Sequence, residues 1–174
     1  QVTEEIVQIL GEDASQTCPN YSDLTRLEYL DRVLKECLRM YPAAPIIARK
    51  TTEDIKMCLT YFAGVSIAIP VFYLQNCPRY YNSPELFDPD RWLPENVSSR
   101  DPFCFLPFSS GPRNCVGGKY ALLQMKVFTV AVLREYEILP TEECKSLVDV
   151  KVKMNLTMEL DGRCQIQLKK RNKL

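Results

Sequence analysis

Histidine is absent from this 174-residue chain. That excludes Ser–His–Asp and Cys–His catalysis, and any zinc or haem held through imidazole. A metal bound by a side chain here must be bound by cysteine or carboxylate. An excess of one charge is also lacking, since 22 Lys and Arg balance 22 Asp and Glu. No overall field recruits nucleic acid or a membrane surface. The eight cysteines, at 18, 37, 58, 77, 104, 115, 144 and 164, contain no C-x-x-C pair, which argues against a zinc ribbon. Their even number admits a disulfide framework. The 46% hydrophobic content and long helical patterns point instead to a core that needs no staples, so all but Cys115 read as mostly reduced and packed. No apolar run is long enough to span a bilayer, and Lys126 interrupts the longest. No signal peptide or membrane anchor opens the chain. Residue 1 falls inside a helical pattern with no N-cap before it, so the start reads as a truncation.

What the sequence does have is centred on residues 108–117, FSSGPRNCVG. This Gly- and Pro-punctuated loop carries Cys115 and runs directly into a long apolar helical pattern. The sulfur would sit at the positive end of a helix dipole, where negative charge is favoured, which suits a soft-metal ligand. Gly111 and Gly117 carry no side chain and let backbone approach a flat ring. Arg113 can pair bidentately with a carboxylate. Phe108 can cover the sulfur and keep water from it.

Upstream, residues 4–10 read as the tail of a helix stopped by Gly11, and 11–20 as a polar loop. Ser22 is a candidate N-cap for a helix over 22–41, ended by Pro42. Leu27, Leu30, Leu34, Leu38 and Tyr41 share one face of it at the 3.6-residue period. Glu36 and Arg39, three residues apart, fall opposite that stripe and can pair. Residues 45–49, 54–57 and 65–70 read as short strands, with Gly64 as the turn between the last two. Residues 71–77 read as a short helix. The region 78–103 is rich in proline and aromatic residues and cannot be a long helix or a central strand. A long helix over 116–136 has apolar residues nearly all round, which reads as buried and in need of partners from outside this chain. Lys119 and Lys126 fall on one side of it. Residues 141–148 read as a polar connector. A terminal hairpin over 150–168 turns at Asp161-Gly162, and the basic tail from Lys169 reads as frayed.

The decamer around Cys115 resembles the haem-binding loop of the cytochrome P-450 family, the haem-thiolate monooxygenases. Glu36-x-x-Arg39 resembles that family's E-x-x-R helix, and 87–92, FDPDRW, its meander motif, with the motifs in the family's order along essentially the whole chain. The animal branch containing fatty-acid ω-hydroxylases and arthropod detoxification enzymes is the most similar. The resemblance implies a mainly α fold with small β-sheets (α+β), of which this chain is the C-terminal, haem-binding portion, with the N-terminal part missing. It makes Cys115 the iron ligand of haem b and Arg113 a propionate contact. Arg49 becomes a second propionate contact, or a surface charge at a strand end. Glu36, Arg39 and Arg91 become a structural network, although Glu36–Arg39 also reads as a solvated ion pair and Arg91 as a surface arginine beside Trp92. Two positions depart from the family's habit: Phe62 replaces a common proline, and Gln75 a common histidine.

The activity implied is insertion of one atom of O2 into a small lipophilic substrate, with electrons from NADPH through a reductase. The full-length protein would sit at the cytosolic face of the endoplasmic reticulum by an N-terminal anchor. Lys119 and Lys126 are either that reductase's contact or an ordinary solvated edge. No catalytic residue beyond the haem ligand lies in these residues, so the chain alone is expected not to turn over. Two alternatives stay open: a reductase-independent haem-thiolate isomerase or dehydratase, and a cysteine-rich metal or redox module without haem.

Overall fold

The computed structural model describes residues 1–11, 19–57, 59–146, 149–162 and 164–171. Cys18, Cys58, most of the 11–20 loop, the end of the 141–148 connector and the last three residues of the basic tail lie outside them. The architecture is the expected α+β, mainly helical with small sheets. Helix α1 (Val2–Leu10) ends at Gly11, whose φ of 78° suits a residue without Cβ.

The single helix expected over 22–41 is two. Helix α2 (Tyr21–Arg26) is capped by Asn20, not Ser22, in a capping box with Asp23. The chain then breaks at Leu27, which is fully buried, and α3 (Glu28–Met40) begins. Groups from other helices occupy the backbone atoms that the break releases. The Glu5 carboxylate of α1 accepts from the N–H groups of Tyr29 (2.6 Å) and Leu30 (2.9 Å). It thereby caps a helix that has no side-chain cap of its own and places negative charge at that helix's positive end. Lys126 Nζ donates to the carbonyls of Leu24 (3.2 Å) and Leu27 (3.4 Å) and pairs with Asp31 at 3.0 Å.

Three residues of the expected stripe, Leu27, Leu30 and Leu34, pack with Leu24, Ile6, Leu10 and Val130 into one core shared by α1, α2, α3 and the long helix α6 (Gly118–Glu135), whereas Leu38 and Tyr41 are half-buried outside it. A second, smaller core of Tyr81, Trp92 and Cys104 sits inside the 78–103 region. That region is irregular, as its prolines demand, with two 3-10 turns (Pro89–Trp92, Pro102–Cys104) and one short helix, α5 (Pro94–Val97). The helix over 71–77 is present as α4 (Val71–Gln75).

Among the described residues, the strands form four separate two-stranded antiparallel sheets. Strand β1 (Ile47–Lys50) pairs with β4 (Ser66–Ile69), and β2 (Ile55–Lys56) with β3 (Thr60–Tyr61). Gly64 turns the chain from β3 into β4 at φ 85°. The 116–136 helix is shorter than expected, because Tyr136 leaves it to start β5 (Tyr136–Leu139). The terminal hairpin is also corrected. Strand β6 (Val152–Met154) folds back onto β7 (Met158–Leu160), turning at 155–157 rather than at Asp161-Gly162. The last strand, β8 (Gln167–Lys170), pairs with β5 instead. Lys169 and Lys170 are therefore strand residues. Arg171 donates from Nε to the carbonyls of Leu133 (3.1 Å) and Tyr136 (3.2 Å) at the end of α6.

Helix α6 is not enclosed within this chain. Tyr120, Val127 and Phe128 stay exposed along one stripe, Phe128 at 70%. Among the described residues, no helix is long and apolar enough to cross a membrane.

Candidate functional site

The two halves of the site have opposite character: a charged network closed off from solvent, and a cysteine loop open to it. Glu36 and Arg39 are fully buried and Arg91 nearly so. Opposite the leucine stripe, α3 meets the 78–93 segment, so both of its faces are covered. Arg39 grips Glu36 with two parallel bonds of 2.9 Å, from Nε to Oε2 and from Nη2 to Oε1. The same carboxylate accepts from Trp92 Nε1 (3.0 Å), the Asp88 N–H (3.1 Å) and Arg91 Nε (3.3 Å). Arg39 also donates to the Gln75 carbonyl, Asn76 Oδ1 and the Pro84 carbonyl. Arg91 Nη2 reaches the Ser83 carbonyl at 2.7 Å. Every charge in the trio is thus paired, as burial demands. The arrangement is a brace tying α3 to the meander, and the solvated-pair reading of Glu36–Arg39 is set aside by its burial. Tyr81, stacked between Arg39 and Arg100, has its hydroxyl pushed well above the usual tyrosine range by burial.

Sequence reasoning missed the residue that links this brace to the cysteine loop. Gln75, noted only as a departure, is fully buried. Its amide donates to the carbonyls of Leu38 (2.9 Å) and Arg39 (3.1 Å), and its oxygen accepts from the Leu106 N–H at 2.8 Å. It ties the end of α3 to the chain entering the loop. The signal was its type: a long amide in an otherwise apolar short helix.

The loop is pinned at both ends. The Cys115 N–H donates to the Phe108 carbonyl (2.9 Å), and the Gly118 N–H to the Cys115 carbonyl (3.2 Å). The thiol is thereby fixed just before the first turn of α6, and Cys115 is exposed. Phe108 lays its ring on Gly118, where an added Cβ would come within 3.2 Å of the ring. Gly118 is therefore a close-approach glycine that the motif reading did not single out. Gly111 has φ 78° and forms a turn, while a Cβ at Gly117 would lie 3.8 Å from the Cys115 sulfur. Ser109 is also left-handed, at φ 63°, a conformation that costs a non-glycine residue about 1–3 kcal/mol. Its Oγ accepts from Arg49 Nη2 at 3.0 Å, and the same nitrogen donates to the Arg113 carbonyl at 3.2 Å. Arg49, at the end of β1, thus braces the loop and stands beside Arg113; both side chains are exposed.

Lys119 is exposed in the first turn of α6, whereas Lys126 is buried and committed to α2 and Asp31. The two do not form one edge, and Lys126 is not available to a partner. A polar cleft of about 610 Å³ lies over the meander, lined by Arg79, Tyr80, Asn96 and Arg100. Cys115 does not line it and is exposed among the described residues.

Among the described residues, no three cysteine or carboxylate side chains come together to hold a metal ion. A metal at Cys115 would have one protein ligand and must bring the rest of its coordination with it, as a tetrapyrrole does. An exposed sulfur, the Arg49 guanidinium hydrogen-bonded to the same loop and two glycines in that loop fit such a group.

Comparison with known proteins places this geometry in a family. The cytochrome P-450 family model matches residues 1–160. Probable cytochrome P-450 4p2 of Drosophila melanogaster is 36% identical over 171 residues, covering 97% of this chain and 32% of the relative. Cytochrome P-450 4d8 of the same organism is 38% identical over 177 residues, covering 98% and 36%. Cytochrome P-450 4c3, also from that fly, is 40% identical over 139 residues, covering 79% and 26%. The chain spans between about a quarter and about a third of the length of these relatives. With the family's motifs in order on a matching α+β frame, this chain belongs to the cytochrome P-450 family.

Proposed function

We propose that this chain is the haem-binding portion of a monooxygenase, with Cys115 as the protein ligand to the iron of haem b. The observation that carries the proposal is the exposed thiol of Cys115, a residue whose backbone N–H is held by the Phe108 carbonyl just before α6, with Arg49 hydrogen-bonded to the same loop. Arg49 and Arg113 would neutralise the two carboxylates of the haem, and Phe108 would limit water at the sulfur. Gly111 and Gly117 keep bulk off the loop. Glu36, Arg39 and Arg91 hold the meander against α3 and so fix the path of the chain into the loop. When bound, the haem supplies oxygen activation, and a thiolate ligand donates electron density that favours O–O cleavage.

The full-length protein would place one oxygen atom into a small lipophilic substrate, drawing electrons from NADPH through a reductase that meets the exposed end of α6 near Lys119. Its site of action would be the cytosolic face of the endoplasmic reticulum membrane. The chain described here would not turn over alone. The test is to supply the full-length protein with reductase, NADPH and isotopically labelled O2. Labelled product that depends on NADPH and is lost in Cys115→Ala supports the proposal. Product formed without NADPH would favour an isomerase or dehydratase. Oxidation by residues 1–174 alone would overturn the claim that they are not self-sufficient.

A further inference from the structure

The end of the β5–β8 ladder brings together two thiols that the haem site does not use. The sulfurs of Cys144 and Cys164 lie 2.8 Å apart, although 20 positions separate them in the chain. That is inside the contact distance of two unbonded sulfur atoms and beyond the ~2.05 Å of a formed disulfide. Independent contacts set the approach. The ladder's last pair is Leu139 with Gln167. Just past it, Thr141 Oγ1 donates to the Gln165 carbonyl at 2.8 Å. Thr141 and Cys144 then exchange backbone bonds of 3.2 and 3.3 Å in a tight turn that brings Cys144 back beside Cys164. Both residues are half-buried and within reach of a small oxidant. Among the described cysteines no other two sulfurs meet, and Cys104 is buried against the Tyr81 hydroxyl.

We propose that Cys144 and Cys164 are a reversible redox pair, which hydrogen peroxide closes to a disulfide and glutathione reopens. In closure, two S–H bonds break and one S–S bond forms. The two thiols lose two protons and two electrons, and the O–O bond of peroxide is reduced to give two waters. In reopening, two glutathione thiols become glutathione disulfide and return both protons and both electrons. Closure fastens the 141–146 turn to the segment leading into β8, the strand that Arg171 follows with its hold on the end of α6. The hydrogen bond shared with Cys164, with help from burial and Asp149, raises the thiol pKa of Cys144. Less of it is ionised at neutral pH, so closure speeds up as pH rises.

The experiment uses the full-length protein with haem bound. It is exposed to graded hydrogen peroxide, quenched with an alkylating agent, digested and mapped by mass spectrometry. The expected result is a peptide cross-linked between Cys144 and Cys164 that appears at a peroxide dose leaving exposed Cys37 alkylated. Glutathione should restore both thiols. Cys144→Ser and Cys164→Ser should each abolish the cross-link, and Cys37→Ser should leave it in place. The wild-type map decides the matter without any variant. Cys144 and Cys164 recovered unlinked, as free thiols, over-oxidised acids or glutathione adducts, would overturn the proposal. So would cross-links from either one to a different cysteine.

Discussion

Replacing Glu36 by alanine should do more damage than any other single change in this chain away from the cysteine loop. The reason lies in the hydrogen bonds to its two oxygens, which accept from Arg39 twice and from Arg91, Trp92 and the Asp88 N–H. Removing the carboxylate leaves two guanidinium groups in a buried site without their counter-charge. Arg39 keeps the carbonyls of Gln75 and Pro84, which satisfy hydrogens but not charge. Breaking a buried pair from one side costs about 3–5 kcal/mol, against a total stability of roughly 5–15 kcal/mol for a domain. The folded-to-unfolded ratio should therefore fall by about two to four powers of ten. Glu36→Gln keeps the volume but turns one acceptor into a donor facing other donors, so it should rescue little. Arg91→Ala removes the longest of the charged bonds, at 3.3 Å, and should cost less than Arg39→Ala. The assay is denaturant unfolding of the full-length protein followed by circular dichroism, with haem retention read in parallel. A Glu36→Ala protein within about 1 kcal/mol of wild type would refute the reasoning. So would Arg91→Ala proving the more damaging change.

Gln75→Leu should cost about 1–3 kcal/mol by leaving the Leu106 N–H without its acceptor. It should also speed haem loss from the full-length protein, since that bond steadies the entry to the cysteine loop; unchanged haem retention would argue against this link. Lys126→Met should lower the unfolding midpoint, while Lys119→Glu should leave stability unchanged and slow electron transfer from the reductase. Stopped-flow reduction beside thermal unfolding separates the two, and the reverse pattern would contradict the burial of Lys126. Asp31 should contribute a pH-dependent stability. Burial alone would raise its pKa, but hydrogen bonds from Lys35 and Lys126 more than offset that and hold it below the ordinary aspartate value. Its contribution is thus complete well above the ordinary aspartate pKa of ~3.9 and is lost as pH falls from there through the lower folded value. Asp31→Asn should be less stable at neutral pH and flatter in this acid window. An identical pH slope in both proteins would count against the assignment.

What could be read from the sequence was what local period and turn chemistry encode. The leucine stripe of α3, the stop at Gly11, the irregular meander and the pinned loop before α6 are properties of neighbouring residues. The burial of Glu36 and Arg39 was not legible from period alone, because the segment covering that face arrives some fifty residues later. The break at Leu27 was hidden for a related reason: the groups that stabilise it, Glu5 and Lys126, come from other helices. Lys126 shows the limit of reading a helix as a wheel. It shares a side with Lys119, but Asp31 and the carbonyls of Leu24 and Leu27 meet only the later of the two. The pairing of β8 with β5 is likewise long-range, and the Asp161-Gly162 turn signal pointed to a local hairpin that forms elsewhere. In the site, the loop that the motif marks out does lead directly into α6, closed by the Cys115 N–H on the Phe108 carbonyl. Gln75 and Gly118 emerged only once packing was visible.

The central claim is that the Cys115 sulfur is the iron ligand. The most direct test is the absorption spectrum of the reduced, carbon monoxide-bound full-length protein, wild type beside Cys115→His. A thiolate ligand gives a strongly red-shifted Soret band. The account predicts that band in the wild type, and its replacement in the variant by an ordinary imidazole-type band if haem is retained. A wild type without the red-shifted band, or a Cys115→His variant that keeps it, would contradict the account.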